Sequence, residues 1–304
     1  MRALHDLAAP AKLNLFLHVV GKRPDGYHLL QSLFVLIDWA DTLHVELRDD
    51  GRLQRHDVLG THGQPLPADD LCLRAARLLQ AETGCTRGAD IHLEKRLPAG
   101  AGMGGGSSDA ATTLLALNRL WDLRLPLPRL LELGLTLGAD VPFFLGGGPA
   151  FVEGIGEILH PLTLPAQRYA VIKGPAGLAT KEIFSSPFLA RSENLAIVAG
   201  FPASAGTANE LVAGFGHNDL QPAAESISSE VRDAVALMSK QFGNARMTGS
   251  GAAVFSVLAG DGEDGKDDQS LATLLKAQPR AETSGWTGRI CRSLAQHPLA
   301  GWAD

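Results

Sequence analysis

Pro98-Ala99-Gly100-Ala101-Gly102-Met103-Gly104-Gly105-Gly106-Ser107-Ser108-Asp109 is the stretch around which the chain is organised. Five of the seven residues from 100 to 106 are glycine. Just before it, Ile91, Leu93 and Leu97 recur at period two, as in a strand. Just after it, Ala110, Ala111, Leu114, Leu115 and Leu117 form an apolar helical face running to Trp121. The glycines therefore join a strand to a helix. Ser107 or Ser108 is the expected N-cap, with Asp109 in the first turn, where the helix dipole favours negative charge. Glycine permits positive φ and brings a ligand close to bare N–H groups. With a helix N-terminus beside them, those groups make an anion site, and the usual anion is a phosphate.

The surrounding sequence separates three kinds of phosphate loop. The pattern G-x-x-x-x-G-K-[ST] is absent. Gly100, Gly102 and Gly105 satisfy G-x-G-x-x-G, but a dinucleotide fold also needs a second strand ending in an acidic residue, and Leu123 to Leu133 is helical and broken by prolines. The later motifs of protein kinases are missing too.

Composition bounds the rest. A length of 304 residues suits two domains or one large one, with 45% hydrophobic residues to build a core. The net charge of −6 and the lack of a basic block argue against nucleic-acid binding. Cys72, Cys85 and Cys291 are odd in number and lack C-x-x-C spacing, so they read as free thiols of a reducing, cytoplasmic compartment. No apolar run suggests a signal peptide or a membrane span.

Ala11 to Val19 alternates as a half-buried strand, with Lys12, Asn14, Phe16 and His18 on one face. Lys12 and Asn14 thus point the same way; by pattern alone the lysine belongs to a solvated face. Leu33–Ile37 and Leu43–Leu47 read as two strands joined through Asp38 to Asp41, and residues 48–68 have no clear pattern. Leu71 to Glu82 is an amphipathic helix stopped by Gly84, and Leu127 to Leu137 is another. Pro142 is expected to push Val141 out of helical space, leaving Asp140 at a break, where an aspartate is ordinarily a helix cap. A second half begins near Pro161. It holds a strand at Tyr169–Ile172, loops and short helices over 185–215, a helix over Glu225–Phe242 and a strand over Ala252–Leu258. An acidic solvated loop at 260–268, a helix at Leu271–Ala277 and a last strand at Gly288–Leu294 complete it.

Three blocks, Pro10-Ala11-Lys12-Leu13-Asn14-Leu15, Pro98 to Ala111 and Met247-Thr248-Gly249-Ser250-Gly251-Ala252, resemble in order the three signatures of the GHMP kinases. Arg23-Pro24-Asp25-Gly26-Tyr27-His28, Gly138-Ala139-Asp140-Val141-Pro142 and Asn218-Asp219-Leu220 narrow the resemblance to members that act on a diphosphocytidyl alcohol of the non-mevalonate isoprenoid pathway. The resemblance implies an α+β, two-domain fold. An N-terminal mixed-sheet ATP-binding domain spans 1–160, and a smaller C-terminal α/β sandwich domain spans 161–304, with the active site in the cleft between them. It implies transfer of the γ-phosphoryl group of ATP to a tertiary 2-hydroxyl. Alternatives are another GHMP small-molecule kinase or a non-catalytic nucleotide-binding regulator; retention of both Lys12 and Asp140 favours the enzyme.

The same resemblance assigns roles. Asp140 becomes the base and Lys12 its cationic neighbour. Lys95, Pro98, Gly100, Gly102, Gly104, Gly105, Gly106, Ser107 and Ser108 bind ATP; Leu71 matches an adenine-side position, while Asp70 stands where the family often has Asn. Asn14, Tyr27, His28, Thr180 and Phe184 bind the cytidyl substrate, Tyr27 and Phe184 sandwiching the pyrimidine and His28 reading its edge. Mg²⁺ is expected on the ATP phosphates, with Ser107 or Ser108 as its protein contact. The expected partners are small molecules only, with no nucleic acid or membrane, in a monomer or weak homodimer.

Overall fold

In a computed structural model of the chain, residues 2–59, 66–191, 215–260, 264–278 and 285–303 are described. The frame is a pair of long antiparallel strands, β1 (Ala3–Lys22) and β2 (His28–Arg48), joined by the Arg23–Tyr27 turn. β2 does not break at Asp38–Asp41 as the sequence suggests. Pro10 and Ala9 of β1 pair with Ala40 and Asp41, and a register shift between Pro10 and Ala11 carries the ladder through. The Asp41 carboxylate is buried and accepts the main-chain N–H groups of Arg96 (2.6 Å) and Leu97 (2.8 Å), so its polarity serves the strand rather than ending it.

β2 changes partners along its length. Its far half pairs with β4 (Gly88–Lys95), which runs parallel to β3 (Leu53–Leu59) and so makes the sheet mixed. That strand lies in the region where residues 48–68 show no pattern. Near its start β2 pairs with β5 (Ala150–Glu153), which forms a hairpin with β6 (Ile158–Pro161). Through Leu36 and Ile37 it also meets β10 (Thr287–Leu294). From β10 the sheet continues to β7 (Arg168–Lys173), β9 (Ala253–Leu258) and β8 (Arg246–Met247), so one hydrogen-bonded path links the two halves.

Helices α1 (Leu71–Thr83), α2 (Gly105–Leu120), α3 (Leu127–Leu137) and α4 (Val141–Gly146) share a core with the first-half strands. α1 is capped by Asp70, whose side chain accepts from the Leu73 N–H, and stops at Gly84 in the left-handed conformation. α2 is buried on nearly every side, not along one stripe. It is the central helix, packed between the sheet and the other helices. Beyond α5 (Thr180–Phe184) come α6 (Gln221–Ile227), α7 (Ser229–Phe242) and α8 (Asp264–Lys276). The expected single helix over Glu225–Phe242 is broken at Ser228, whose backbone is extended. Residues 264–268 of the expected acidic loop open α8, where their charge suits the helix N-terminus. Residues 192–214 and 261–263 of the two expected loops lie outside the described residues.

β1 is buried on both faces. Leu13, Leu15 and Ala11 pack into one cluster with Val35, Ile37, Tyr169 and Phe255, while Leu17 and Val19 join Ile183, Leu220 and Met247. Lys12 (4% exposed), Asn14 and His18 are therefore interior, contrary to a half-buried strand with a wetted lysine.

Candidate active site

The glycine loop is held in place from two sides, by the Met247–Ala253 segment and by β1. Gly100, Gly102 and Gly104 have φ of +60°, +70° and +71°, so the loop needs the conformational freedom its sequence announces. Gly102 is also a packing residue, since a Cβ there would stand 2.4 Å from the Thr248 carbonyl oxygen. The N–H groups of Ala252 and Ala253 donate to the carbonyls of Gly100 and Ala101, both at 3.0 Å. From the other side, the Lys12 N–H donates to the Met103 carbonyl at 3.0 Å. The Met247–Ala252 block thus braces the loop.

The helix cap differs from the expectation. The N-cap of α2 is Gly104, with no side-chain capping bond, and Ser107 and Ser108 lie inside the helix. The three-glycine run lets α2 begin three residues early and leaves its first-turn N–H groups without a competing side chain. Ser108 is fully buried with its hydroxyl unpartnered, and the first turn holds no acidic residue. Asp109 points inward and takes a 2.8 Å ion pair from Lys95 Nζ, which also contacts Asp41. Burial pushes the Asp109 carboxyl up to about 8, against the pull of Lys95. Burial acts to lower Lys95, but the two carboxylates outweigh it and its pKa is raised. The sequence picks Lys95 as a nucleotide contact; in the structure it also bridges two buried acids.

Two clefts meet at the loop. One, of 450 Å³, is lined by Asp70, Leu71, Lys95, Leu97, Pro98 and the glycines. Asp70 is committed to capping α1 and to a 2.8 Å pair with Arg55. The other, of 870 Å³, runs from Lys12, Asn14, Phe34 and Asp140 to Tyr27, His28, Thr180 and Phe184. Gly100, Gly102, Gly104 and Ser107 line both. Gly105 and Gly106 line only the first, and a Cβ on Gly106 would meet nothing closer than Leu71 at 3.5 Å.

In the larger cleft, Lys12 Nζ donates to Asn14 Oδ1 at 2.6 Å, lies 3.6 Å from Asp140 Oδ2 and sits 4.0 Å from the centre of the Phe34 ring. Lys12 and Asn14 do share a face, as their spacing requires. Burial lowers the Lys12 pKa, and Asp140 acts to raise it. Asn14 is fixed in turn, its Nδ2 donating to Ser32 Oγ and its N–H to Thr248 Oγ1, each at 2.9 Å. Asp140 precedes α4 but makes no capping bond, and Val141 begins that helix. Pro142 occupies the second helical position, where its missing N–H costs nothing. The Asp140 carboxylate is one-third exposed and open to the cleft.

At the other end, His28 stacks on Phe184 with ring centroids 5.1 Å apart, and Tyr27 is 61% exposed at the cleft mouth. The His28 pKa is lowered by burial and by the cations Lys22 and Arg191. Thr180 Oγ1 and Ser250 Oγ share a 2.9 Å hydrogen bond. Sequence reasoning passes over Phe34, Ser32 and the Gly154-Ile155-Gly156-Glu157 turn, though Ile155 and Gly156 also line this cleft. The Gly-x-Gly spacing of that turn was the available signal. No group of three or more His, Cys, Asp or Glu residues placed to hold a metal occurs among the described residues.

Residues 70–148 match the model of the GHMP kinases N terminal domain, and residues 201–279 that of the GHMP kinases C terminal domain. The 4-diphosphocytidyl-2-C-methyl-D-erythritol kinases of Variovorax paradoxus and Methylibium petroleiphilum are 54% and 55% identical to the chain. Those alignments cover 100% of this chain and 100% and 99% of theirs. A crystal structure of 4-(cytidine 5'-diphospho)-2C-methyl-D-erythritol kinase superposes with a TM-score of 0.74 at 32% identity, covering 93% of this chain and 98% of that one. A homoserine kinase from Cytophaga hutchinsonii shares the fold, with a TM-score of 0.67 at 19% identity over 98% of this chain and 96% of its own.

Proposed function

The chain belongs to the GHMP kinases and, within them, to the 4-diphosphocytidyl-2-C-methyl-D-erythritol kinases, which makes it an ATP-dependent kinase of that alcohol, and we propose that Lys12 and Asp140 carry the transfer. The observation behind this reading is the pair itself: a buried ammonium 3.6 Å from an open carboxylate, beside a glycine loop shared by two clefts.

ATP lies with its base in the smaller cleft and its phosphates on the Gly104–Ser107 turn, whose N–H groups and helix dipole offset their charge. The diphosphocytidyl alcohol lies in the larger cleft, its hydroxyl at Asp140 and its pyrimidine at Tyr27, His28 and Phe184. The hydroxyl oxygen attacks the γ-phosphorus, the bond to the ADP oxygen breaks, and the hydroxyl proton passes to the Asp140 carboxylate. Lys12, beside that carboxylate, steadies negative charge on the attacking oxygen. Asn14, held at both ends by hydrogen bonds, fixes the Lys12 ammonium. Lys95 and Leu71 border the adenine, and Thr180 reaches the substrate from the second half.

Mg²⁺ is a fitting companion of this site, because it keeps most of its ligands as phosphate oxygens and waters and asks little of the protein. Ser107 lines both clefts and is the hydroxyl that would hold it; Ser108 faces the core. The ion would draw negative charge from the transferring group. The free cysteines suit a reducing, cytoplasmic setting. Among the described residues no helix is long and apolar enough to cross a membrane. A monomer or weak homodimer, divided near residue 160, completes the reading.

ADP release measured on the diphosphocytidyl alcohol, homoserine, mevalonate and galactose tests it. Turnover confined to the first is expected; equal turnover of homoserine would assign the chain to another GHMP activity.

A further inference from the structure

We propose that the turn Gly154-Ile155-Gly156-Glu157 selects the acceptor alcohol. Ile155 takes the methyl group on the carbon bearing the reacting hydroxyl, and Gly156 leaves that carbon room against Asp140. The inference rests on the placement of the hydroxyl at Asp140 given above.

The turn connects β5 and β6 and lies directly on the base. A Cβ on Gly156 would stand 3.7 Å from Asp140 Oδ1 and 3.7 Å from the Ala139 Cβ. The Gly156 φ of +120° is one that side-chain-bearing residues rarely adopt. The turn is rigidly held. The Leu30 N–H donates to the Gly154 carbonyl at 2.7 Å, tying it to β2. The Glu157 carboxylate folds back to accept the Ile155 N–H at 2.5 Å, and a Cβ on Gly154 would stand 2.5 Å from that carboxylate. These bonds use the backbone and Glu157 and leave the Ile155 side chain to line the cleft.

The acceptor carbon is unusual in carrying a methyl group besides its hydroxyl and two oxygenated arms. The side chains that line the cleft with Asp140 are of two kinds. Lys12, Asn14 and Ser107 are charged or polar, and a methyl group against them would displace their solvation with no return. Phe34 is apolar too, but its ring is buried and covered by the Lys12 ammonium 4.0 Å from its centre, so the half-buried Ile155, with Ala139 beside Gly156, is the apolar side left open to the substrate. The methyl therefore goes to Ile155, which turns the acceptor so that its hydroxyl meets Asp140. A linear alcohol leaves this contact empty.

The test compares the diphosphocytidyl 2-C-methyl alcohol with its des-methyl analogue, using the full chain and the variants Ile155→Ala, Ile155→Val and Gly156→Ala. One methyl group in an apolar pocket is worth about 10–200-fold in kcat/KM. Wild type should prefer the methylated substrate by that factor, with Ile155→Ala reducing the preference to within about threefold and Ile155→Val intermediate. Gly156→Ala should lower kcat more on the methylated substrate than on its analogue. KM for ATP should stay unchanged in all three. Equal losses on both substrates in every variant would make the turn a structural element only and overturn the proposal. Wild-type enzyme that used both substrates equally would overturn the selection but keep the kinase reading; turnover of neither would overturn both.

Discussion

Asp140→Asn removes the proton acceptor while keeping the shape of the side chain. Loss of a general base costs about 10²–10⁴-fold in kcat, or roughly 2.7–5.5 kcal/mol of barrier. The structure adds a second effect. At 3.6 Å and an effective dielectric of about 20, the Lys12–Asp140 attraction is roughly 4–5 kcal/mol before solvent screening. The carboxylate is one-third exposed, so only part of this survives, and leaving a buried ammonium with one acceptor fewer should cost about 1–3 kcal/mol of stability. Burial already lowers the Lys12 pKa against the pull of Asp140, so the variant moves it further down. The glycine loop is untouched, and ATP affinity should hold. Steady-state ADP release gives kcat, calorimetric titration gives the ATP affinity, and thermal melting gives the stability change. A kcat within threefold of wild type, about 0.65 kcal/mol, would refute the role of Asp140.

Gly106→Ala should weaken ATP binding in calorimetry while leaving the melting temperature unchanged, because the added Cβ meets only Leu71 at 3.5 Å in the free protein. Gly104→Val, by contrast, should unsettle the fold, since its Cβ would stand 2.8 Å from the Phe144 ring at a φ of +71°. Phe184→Ala removes the ring stacked on His28 and should raise KM for the cytidyl substrate by about 5–150-fold, as 1–3 kcal/mol of stacking implies, with KM for ATP unchanged. Lys22→Ala should raise the His28 pKa, because a nearby cation that disfavours imidazolium is gone; the acid limb of kcat/KM for the cytidyl substrate should move to higher pH. Lys95→Met leaves Asp41 and Asp109 buried without their shared cation and should cost about 3–5 kcal/mol in denaturant unfolding. A loss of ATP affinity with unchanged stability would show that Lys95 serves the nucleotide alone.

Local patterns were readable wherever one element satisfies itself. Leu127–Leu137 shows its helix by periodicity, and α1 by its apolar stripe with Asp70 before it and Gly84 after it. The glycine run announced a strand-to-helix turn built for an anion, because positive φ and bare N–H groups are properties of the residues themselves. The signature blocks carried the family, and with it the roles proposed for Lys12 and Asp140, which spacing alone left as a surface lysine and a helix cap.

What distant segments do to one another lay outside that reach. Asp41 looks like a turn residue, yet it sits within a continuous strand because Arg96 and Leu97, far along the chain, bring it their N–H groups. A serine cap for α2 is a sound local choice, but Gly104 displaces it, held by Lys12 on one side of the loop and braced through Thr248 on the other. The same holds for the Ile155–Gly156 turn, whose residues gain meaning only from lying against Asp140. Sequence by itself determined the elements whose hydrogen bonds and apolar faces close locally, and the chemistry that the glycine loop can host. Tertiary structure alone decided which polar groups became buried partners, because the desolvation of a charge depends on everything packed around it and not on its neighbours in the chain.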